Sequence, residues 1–195
     1  MEMKTILIDV DEVICDSGIL GLINKFLGTD YTFDDFNTYY LDNVIGDGAK
    51  QKEFYEWIQD YNMYDFANLL PDSYETIKEL NEKYTIYLYS ACINPFFVQK
   101  SGKQFMDKYN FLIKNFPFLD PNRFIFTNSK NLIKADIQID DRLVDLQGDV
   151  KLKILFSSYH NQAITDEELK NNNVIRAGTS QYNAWKAIRN MLLDK

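Results

Sequence analysis

Short apolar runs recur along the chain, and most are separated by segments whose apolar residues repeat every three or four positions. Runs that are this short, continuous and rich in Ile, Leu, Phe and Tyr are typical of strands buried on both faces. Helical segments between such strands favour a parallel sheet with helices on both sides. The pattern therefore predicts an α/β fold, with strands at residues 5–8, 85–89, 124–126, 137–139 and 152–156.

Three segments have a helical pattern that also indicates where each helix starts or stops. Asp72 is expected to cap the first helix, because its side chain can accept from first-turn N–H groups and Glu75 follows three residues later. A second helix is expected over residues 96–116, where Pro117 would end it. A third is expected over residues 182–193.

The region between the first two strands is too long for a simple connection. Residues 16–70 contain two helix-like pieces, near residues 19–27 and 50–61, joined by an acidic and aromatic segment. We interpret residues 16–70 as a small helical cap inserted after the first strand, and residues 1–15 and 71–195 as the catalytic core. Ligands of open parallel sheets bind beyond the carboxyl ends of the strands, so such a cap would cover the site.

Length and charge narrow the class of protein. The chain has 195 residues, 46% of them hydrophobic, which suits one α/β domain with a small insertion. A formal net charge of −8 disfavours sequence-independent binding of a nucleic acid polymer. The chain has neither an apolar stretch near the roughly 20 residues of a membrane span nor a secretory signal pattern. We expect a cytoplasmic protein that binds no membrane, and the sequence leaves its oligomeric state open.

The few cysteines and histidines exclude some chemistry. Cys15 and Cys92 have no paired spacing, so we expect reduced thiols. His160 is the single histidine, so neither a mechanism with two histidines nor a His-rich zinc site can be built.

Two groups of acidic residues follow predicted strands. Asp9 and Asp11 come at the end of the first strand, and Asp140, Asp141 and Asp145 follow a later one. If these strands are neighbours, the like charges would oppose folding unless a cation neutralises them. Oxygen ligands without Cys or His favour a hard ion, and Mg²⁺ is the natural partner of a phosphate. Unrelated strand ends are the alternative for either group alone.

A hydroxyl and a lysine complete the candidate phosphate site. Ser90 directly follows the strand at residues 85–89, where a hydroxyl and adjacent backbone N–H groups can hold phosphate oxygens. Lys130 precedes the second acidic group and could balance the charge of a phosphate. Lys134 is the competing candidate, and a surface position is the alternative for both lysines.

The order Asp-x-Asp, hydroxyl, Lys, Asp-Asp, each after a strand, resembles the four motifs of the haloacid dehalogenase superfamily of phosphatases. Asp9-Val10-Asp11-Glu12-Val13 and two further stretches are similar to the 5'(3')-deoxyribonucleotidase family within it. Those stretches are KNLIKADIQIDDR, residues 130–142, and ILFSSYHNQ, residues 154–162. The resemblance implies a three-layer Rossmann-like core with a small helical cap. It further implies a Mg²⁺-dependent phosphoric monoester hydrolase that acts on (deoxy)nucleoside monophosphates.

Reaction roles follow from this resemblance, position by position. Asp9 would be the nucleophile that forms an aspartyl-phosphate. Asp11 would protonate the leaving oxygen and then activate water. Ser90 and Lys130 would hold the phosphoryl oxygens.

Metal-site roles follow from it as well. Asp9, Asp11 through its backbone carbonyl, and Asp141 would bind Mg²⁺. Asp140 and Asp145 would support these ligands without touching the ion. Glu12 departs from the relatives, many of which have glycine or another small residue there.

Substrate recognition is the least defined part, because the cap matches the family poorly. Related deoxyribonucleotidases use cap aromatics against the base, and the resemblance implies Tyr64 for this role, with Trp57 second. The expected partner is a small phosphomonoester, a nucleotide by resemblance. A sugar phosphate substrate, a nucleotide- or phosphate-binding protein without catalysis, and a nucleic-acid end-processing phosphatase are the alternatives.

Overall fold

A single parallel sheet organises the chain. The computed structural model describes residues 3–93 and 98–194. The sheet has the strand order β3-β2-β1-β4-β5-β6, and every neighbouring pair is parallel. The strands are β1 (Thr5–Asp9), β2 (Thr85–Ser90), β3 (Phe124–Phe126), β4 (Ala135–Asp140), β5 (Val150–Phe156) and β6 (Val174–Ala177). The predicted α/β fold with a parallel sheet is confirmed, and β6 is a strand that the apolar pattern did not predict.

Six α-helices occur among the described residues. They are α1 (Ile19–Leu27), α2 (Gly48–Trp57), α3 (Ser73–Asn81), α4 (Gly102–Asn115), α5 (Asp166–Asn171) and α6 (Ala184–Leu192). The helix expected over residues 96–116 begins only at Gly102, and the first two positions of that prediction, Phe96 and Phe97, lie outside the described residues. The predicted last helix is confirmed as α6, and α5 was not predicted.

The start of α3 corrects one detail of the prediction. Asp72 precedes the helix as expected, but its side chain caps no N–H group among the described residues. Its φ of 62° places it in the left-handed region, whereas a capping aspartate normally has extended backbone angles. The prediction that Asp72 caps α3 is therefore wrong.

Helices cover both faces of the sheet. On β5, Ile154 and Phe156 face the larger hydrophobic core, which includes Trp185 of α6. Leu155 lies between them in sequence and packs on the opposite face, in a smaller cluster with Leu169 of α5. Successive side chains of a strand point to opposite faces, so this alternation places α6 and α5 on different sides.

A buried tryptophan fixes the loop that follows β1. Trp185 is fully buried, and its indole N–H donates to the carbonyl of Val13 at 2.7 Å. The same loop is closed by the carbonyl of Val10, which accepts from the N–H of Ile14 at 2.8 Å. These bonds hold the backbone directly after Asp9 and Asp11 in one conformation, which matters for the site described below.

Much of the segment 16–70 packs around a second hydrophobic cluster, and its two ends lie side by side. Its apolar side chains, including Leu22, Ile23 and Phe54, make this cluster. At the junction, Asp16 and Asn68 exchange backbone and side-chain hydrogen bonds of 2.7–3.0 Å. Gly18 sits there with φ 73°, and a Cβ on it would lie 2.2 Å from the Met63 carbonyl oxygen, so only glycine fits.

Candidate active site

The ends of three neighbouring strands bring the predicted residues together. Asp9 ends β1, Ser90 ends β2 and Asp140 ends β4. Asp9 is in register with Tyr89 of β2, and Ile8 is in register with Ile139 of β4. Since all three strands are parallel, their carboxyl ends meet at one edge, where open α/β sheets bind ligands.

Lys130 lies among the carboxylates at this edge. It begins a short 3₁₀ turn, and its ammonium lies 3.0 Å from Asp9 Oδ1, 2.9 Å from Asp140 Oδ2 and 3.6 Å from Asp145 Oδ2. Burial alone would lower the pKa of Lys130, but Asp9 and Asp140 raise it above its ordinary value. The lysine is therefore a permanent buried positive charge against the predicted nucleophile.

The competing lysine is elsewhere. Lys134 is exposed and pairs with Asp149 at 3.2 Å, on the solvent side of the loop. Of the two lysines that the sequence left open, the structure places Lys130 at the strand ends.

Asp140 is hydrogen-bonded through both of its oxygens. Oδ2 accepts from the Tyr89 hydroxyl and from Lys130, and Oδ1 accepts from the backbone N–H of Arg142 at 2.9 Å. The Tyr89 hydroxyl is in turn held by the Gln138 amide at 3.0 Å. With no exposed surface, Asp140 is arranged to orient Lys130.

Asp141 is paired with the single histidine. His160 Nε2 lies 2.6 Å from Asp141 Oδ2, and the Asn161 amide donates to the Asp141 backbone carbonyl at 2.8 Å. Burial, together with the nearby Arg142 charge, lowers the pKa of His160 to about 4. The imidazole is therefore neutral at neutral pH, and when Asp141 is ionised Nε2 must carry the shared proton. The sequence prediction used His160 only to exclude a mechanism with two histidines and a His-rich zinc site, and it missed this contact.

The acidic residues fit a metal ion. Asp9, Asp140 and Asp141 each offer one carboxylate oxygen, and these oxygens lie within 4.8 Å of one another. Burial raises the pKa of both Asp9 and Asp141, as does the neighbouring Asp140 charge. Among the described residues, no group makes a hydrogen bond to the buried Asp9 Oδ1, although the Lys130 ammonium is near. A buried all-oxygen donor set suits a hard divalent cation.

Asp11 is held through both side-chain oxygens but stands outside the carboxylate cluster. The Tyr64 hydroxyl donates to Asp11 Oδ1 at 2.8 Å, and the Lys108 ammonium donates to Oδ2 at 2.6 Å. About a quarter of the Asp11 side chain, 27%, remains exposed. The sequence prediction used only the backbone carbonyl of Asp11 as a metal ligand, so the position of its side chain outside the cluster does not conflict with that prediction.

Ser90 shares the Lys108 ammonium with Asp11. Lys108 Nζ lies 2.5 Å from Ser90 Oγ and 2.8 Å from the Ala91 carbonyl oxygen. Lys108 was not predicted, yet the sequence contained a signal. It stands three residues after Phe105 and four before Leu112, so a charged residue occupies the apolar face of α4.

A cavity of about 200 Å³ lies over these residues. Two further cavities, of about 220 and 570 Å³, also touch Asp11 and Tyr39. The first cavity is lined by Asp9, Asp11, Tyr39, Ser90, Ala91, Asn128, Lys130, Arg142 and Asp145. It is polar and carries both charge signs, as a phosphoryl group beside a metal ion would require.

The aromatic residues named for substrate binding take different positions. Tyr64 is buried, its ring lies 4.8 Å from that of Phe111, and it borders the 220 Å³ cavity. Trp57 packs on Tyr61 at 4.4 Å, within the hydrophobic cluster of residues 16–70, and borders none of the three cavities. Tyr39, which the sequence did not single out, borders all three.

Comparison with known proteins identifies the family. The family described as "5' nucleotidase, deoxy (Pyrimidine), cytosolic type C protein" matches residues 3–175. The chain belongs to this family. A Staphylococcus aureus (strain Mu50) protein named "Putative 5'(3')-deoxyribonucleotidase" is 31% identical over 198 residues, covering 100% of this chain and 98% of its own length. The 5'(3')-deoxyribonucleotidase of Bacillus subtilis (strain 168) is 29% identical over 163 residues, covering 82% and 88%.

Solved structures agree on the fold of this nucleotidase family member. A haloacid dehalogenase-like protein of unknown function from Agrobacterium tumefaciens has a TM-score of 0.53 at 10% identity, covering 97% of this chain and 99% of its own. A Bacteroides fragilis protein named "Putative haloacid dehalogenase-like hydrolase" has a TM-score of 0.52 at 15% identity, covering 90% of this chain and 96% of its own. The predicted family resemblance, fold class and enzyme class, a phosphoric monoester hydrolase, are confirmed. Within the described residues, every helix is too short or too polar to cross a membrane.

Proposed function

We propose that this nucleotidase family member hydrolyses (deoxy)nucleoside monophosphates through an aspartyl-phosphate on Asp9, with Mg²⁺ as cofactor. One observation carries the mechanism: a buried carboxylate at the end of β1 borders the 200 Å³ cavity and faces a buried lysine. The names of the Staphylococcus and Bacillus relatives support the nucleotide substrate. The family description includes the word cytosolic, which supports a cytoplasmic setting.

In the first step, an Asp9 carboxylate oxygen attacks phosphorus and the bond between phosphorus and the ester oxygen breaks. Asp11 gives its proton to the departing oxygen, which leaves as the nucleoside hydroxyl. Lys130 reduces the repulsion between the anionic nucleophile and the anionic phosphate, and Ser90 Oγ can donate to a phosphoryl oxygen. The products are the nucleoside and a phosphorylated Asp9.

In the second step, water attacks the phosphorus of phosphorylated Asp9. Asp11, now ionised, takes a proton from that water. The bond between phosphorus and the Asp9 oxygen breaks, which releases inorganic phosphate and restores the Asp9 carboxylate. Asp11 thus acts first as general acid and then as general base, and it ends in the protonation state in which it began.

The metal would be held by side-chain oxygens of Asp9 and Asp141 and by the backbone carbonyl of Asp11. Mg²⁺ bound there would offset the charge that accumulates on the phosphoryl oxygens. Asp140, whose oxygens are already hydrogen-bonded, and Asp145 would support this set from behind. The close approach of one Asp9 oxygen to one Asp141 oxygen, within 4.8 Å, favours this arrangement.

Residues 16–70 would act as a cap over a core made of residues 1–15 and 71–195. Tyr39 and Tyr64 come from this segment and border the cavities, which supports the division. Tyr64 borders the 220 Å³ cavity and remains a candidate for contact with the base. Trp57, the second candidate from the sequence, borders none of the three cavities. Tyr39 is the better placed ring, because it borders all three cavities and its centroid lies 4.5 Å from the guanidinium carbon of Arg142.

Phosphate release from a panel of esters tests this proposal. The panel should contain deoxy- and ribonucleoside monophosphates and sugar phosphates, each with Mg²⁺ and with EDTA. We expect nucleotides to be preferred and EDTA to abolish turnover. A preference for sugar phosphates would show that nucleotides are not the substrate class. Full activity in EDTA would show that the reaction does not need Mg²⁺.

A further inference from the structure

Lys108 is a buried cation that the proposed reaction does not yet use. It projects from α4, is 2% exposed, and donates to three acceptors within 2.8 Å. Those acceptors are Asp11 Oδ2, Ser90 Oγ and the Ala91 carbonyl oxygen. Because an ammonium has three donors, Lys108 is fully bonded by this set.

Stability alone is a poor reason to bury this charge. A buried ion pair often contributes no more than apolar side chains of similar size, since desolvation offsets the attraction. A methionine at position 108 would continue the apolar face that Phe105 and Leu112 define on α4. The lysine instead ends on the carboxylate that the proposed mechanism assigns to proton transfer.

The geometry indicates that Lys108 fixes Asp11 rather than holding phosphate. The 200 Å³ cavity above Asp9 is lined by Lys130, and Lys108 borders the neighbouring 220 Å³ cavity behind Asp11. Tyr64 donates to the other Asp11 oxygen, so the carboxylate is held from two sides. Each carboxylate oxygen has a second lone-pair site, which leaves room for the ester oxygen or a water.

We propose that Lys108 is a positioning residue, which holds the Asp11 carboxylate in line for proton transfer. This inference rests on the proposed function, because it needs Asp11 to act as the acid. It predicts that losing Lys108 harms reactions that depend on protonation of the leaving group and spares those that do not.

Two esters of nearly equal size separate these cases. Phenol is a much weaker acid than p-nitrophenol, so phenyl phosphate needs a protonated leaving group and p-nitrophenyl phosphate hardly does. Neither has a base or sugar, so nucleoside recognition does not enter the comparison. The ratio kcat/KM reports only the steps up to departure of the leaving group, which excludes hydrolysis of the aspartyl-phosphate.

Lys108→Met should lower kcat/KM for phenyl phosphate by roughly 10- to 100-fold, part of the ~10²–10⁴ that acid–base catalysis supplies. It should lower the value for p-nitrophenyl phosphate by less than about threefold. In an Asp11→Asn background, Lys108→Met should add little, because residues that act through one group are not additive. Lys114→Met, an exposed lysine on the same helix, is the matched control and should change neither substrate.

Equal losses on both esters, full additivity with Asp11→Asn, or no loss would each overturn the positioning role. Circular dichroism checks the fold, and Lys108→Gln, which keeps a donor, carries the same comparison if Lys108→Met does not fold. The single variant Asp11→Asn separates failure of the proposed function from failure of the positioning role of Lys108. If it affects both esters equally, the acid role of Asp11 fails and this proposal with it. If only Lys108→Met lacks selectivity, the proposed function stands and this inference fails.

Discussion

Replacing Lys130 with methionine should destabilise the metal-free protein and remove its activity. The ammonium of Lys130 lies 3.0 Å from Asp9 Oδ1 and 2.9 Å from Asp140 Oδ2, with 7% of the residue exposed. Methionine is apolar and of similar length, so Lys130→Met removes the charge while largely keeping the volume. Two buried carboxylates would then lose their shared counterion.

The size of the effect follows from these distances. Opposite unit charges about 3 Å apart attract by roughly 5 kcal/mol at an effective dielectric constant of about 20. The variant no longer desolvates the ammonium, which returns part of this energy. Breaking a buried ion pair by removing one partner costs about 3–5 kcal/mol, because the remaining charge is uncompensated. We expect the free energy of unfolding to fall by that amount at neutral pH.

Urea unfolding in EDTA, followed by far-ultraviolet circular dichroism, measures the loss as a lower midpoint at unchanged slope. Lys134→Met is the matched control, because Lys134 lies four residues away in an exposed pair and should leave the midpoint unchanged. Asp9→Asn in the Lys130→Met background should recover part of the stability. A midpoint for Lys130→Met equal to that of the wild type would refute the reasoning.

Three further results are expected. Folding raises the pKa values of Asp9 and Asp141 above the ordinary aspartate pKa near 4. At pH values between the ordinary and the raised pKa, the folded state therefore binds more protons than the unfolded state. The free energy of unfolding of the metal-free protein should therefore fall as pH rises through that window. Added Mg²⁺ should raise the melting temperature at neutral pH, and an unchanged melting temperature would contradict the metal site. Tyr39→Ala should raise KM for nucleoside monophosphates and leave KM for p-nitrophenyl phosphate unchanged. Trp57→Ala should lower the melting temperature and leave KM unchanged, and the reverse pattern would show that Trp57 is the substrate contact. His160→Ala should weaken Mg²⁺ binding measured by calorimetry, because Asp141 loses the partner that orients it, and an unchanged affinity would show that Asp141 is oriented without the histidine.

The elements that the sequence predicted well are those with an unambiguous burial pattern. The central strands β1 and β2 are mostly apolar, and β4 alternates Ile137 and Ile139 with polar residues. The three strands end in Asp9, Ser90 and Asp140. Since parallel neighbours end at one edge, the order of motifs along the chain was enough to anticipate the convergence of these residues.

The missed elements have weak patterns. Strand β6 lies at the sheet edge, where Ile175 is half exposed and Arg176 interrupts the apolar run. Helix α5 buries only Leu169. The spacing of Thr165 and Glu168 is a capping-box pattern that the sequence shows, and the structure contains both reciprocal bonds, so this signal could have found the helix.

The site residues that the sequence did not predict lie outside the four motifs. Lys108 reaches Asp11 across 97 positions, and His160 reaches Asp141 from the loop after β5. Tyr39 belongs to an irregular stretch of the inserted segment, where no period indicates which rings face inward. The apolar face of α4 marks Lys108 as unusual, but the partners of all three residues depend on tertiary packing and no local pattern specifies them.

Trapping the covalent intermediate tests the central claim most directly. Enzyme mixed with a ³²P-labelled deoxynucleoside monophosphate and Mg²⁺ should be quenched in acid during the first turnovers, digested and mapped. We predict an acid-stable label, released by hydroxylamine, on the peptide that contains Asp9, and none in Asp9→Asn. Rapid phosphate release without labelled protein, or a label on a different residue, would contradict the account.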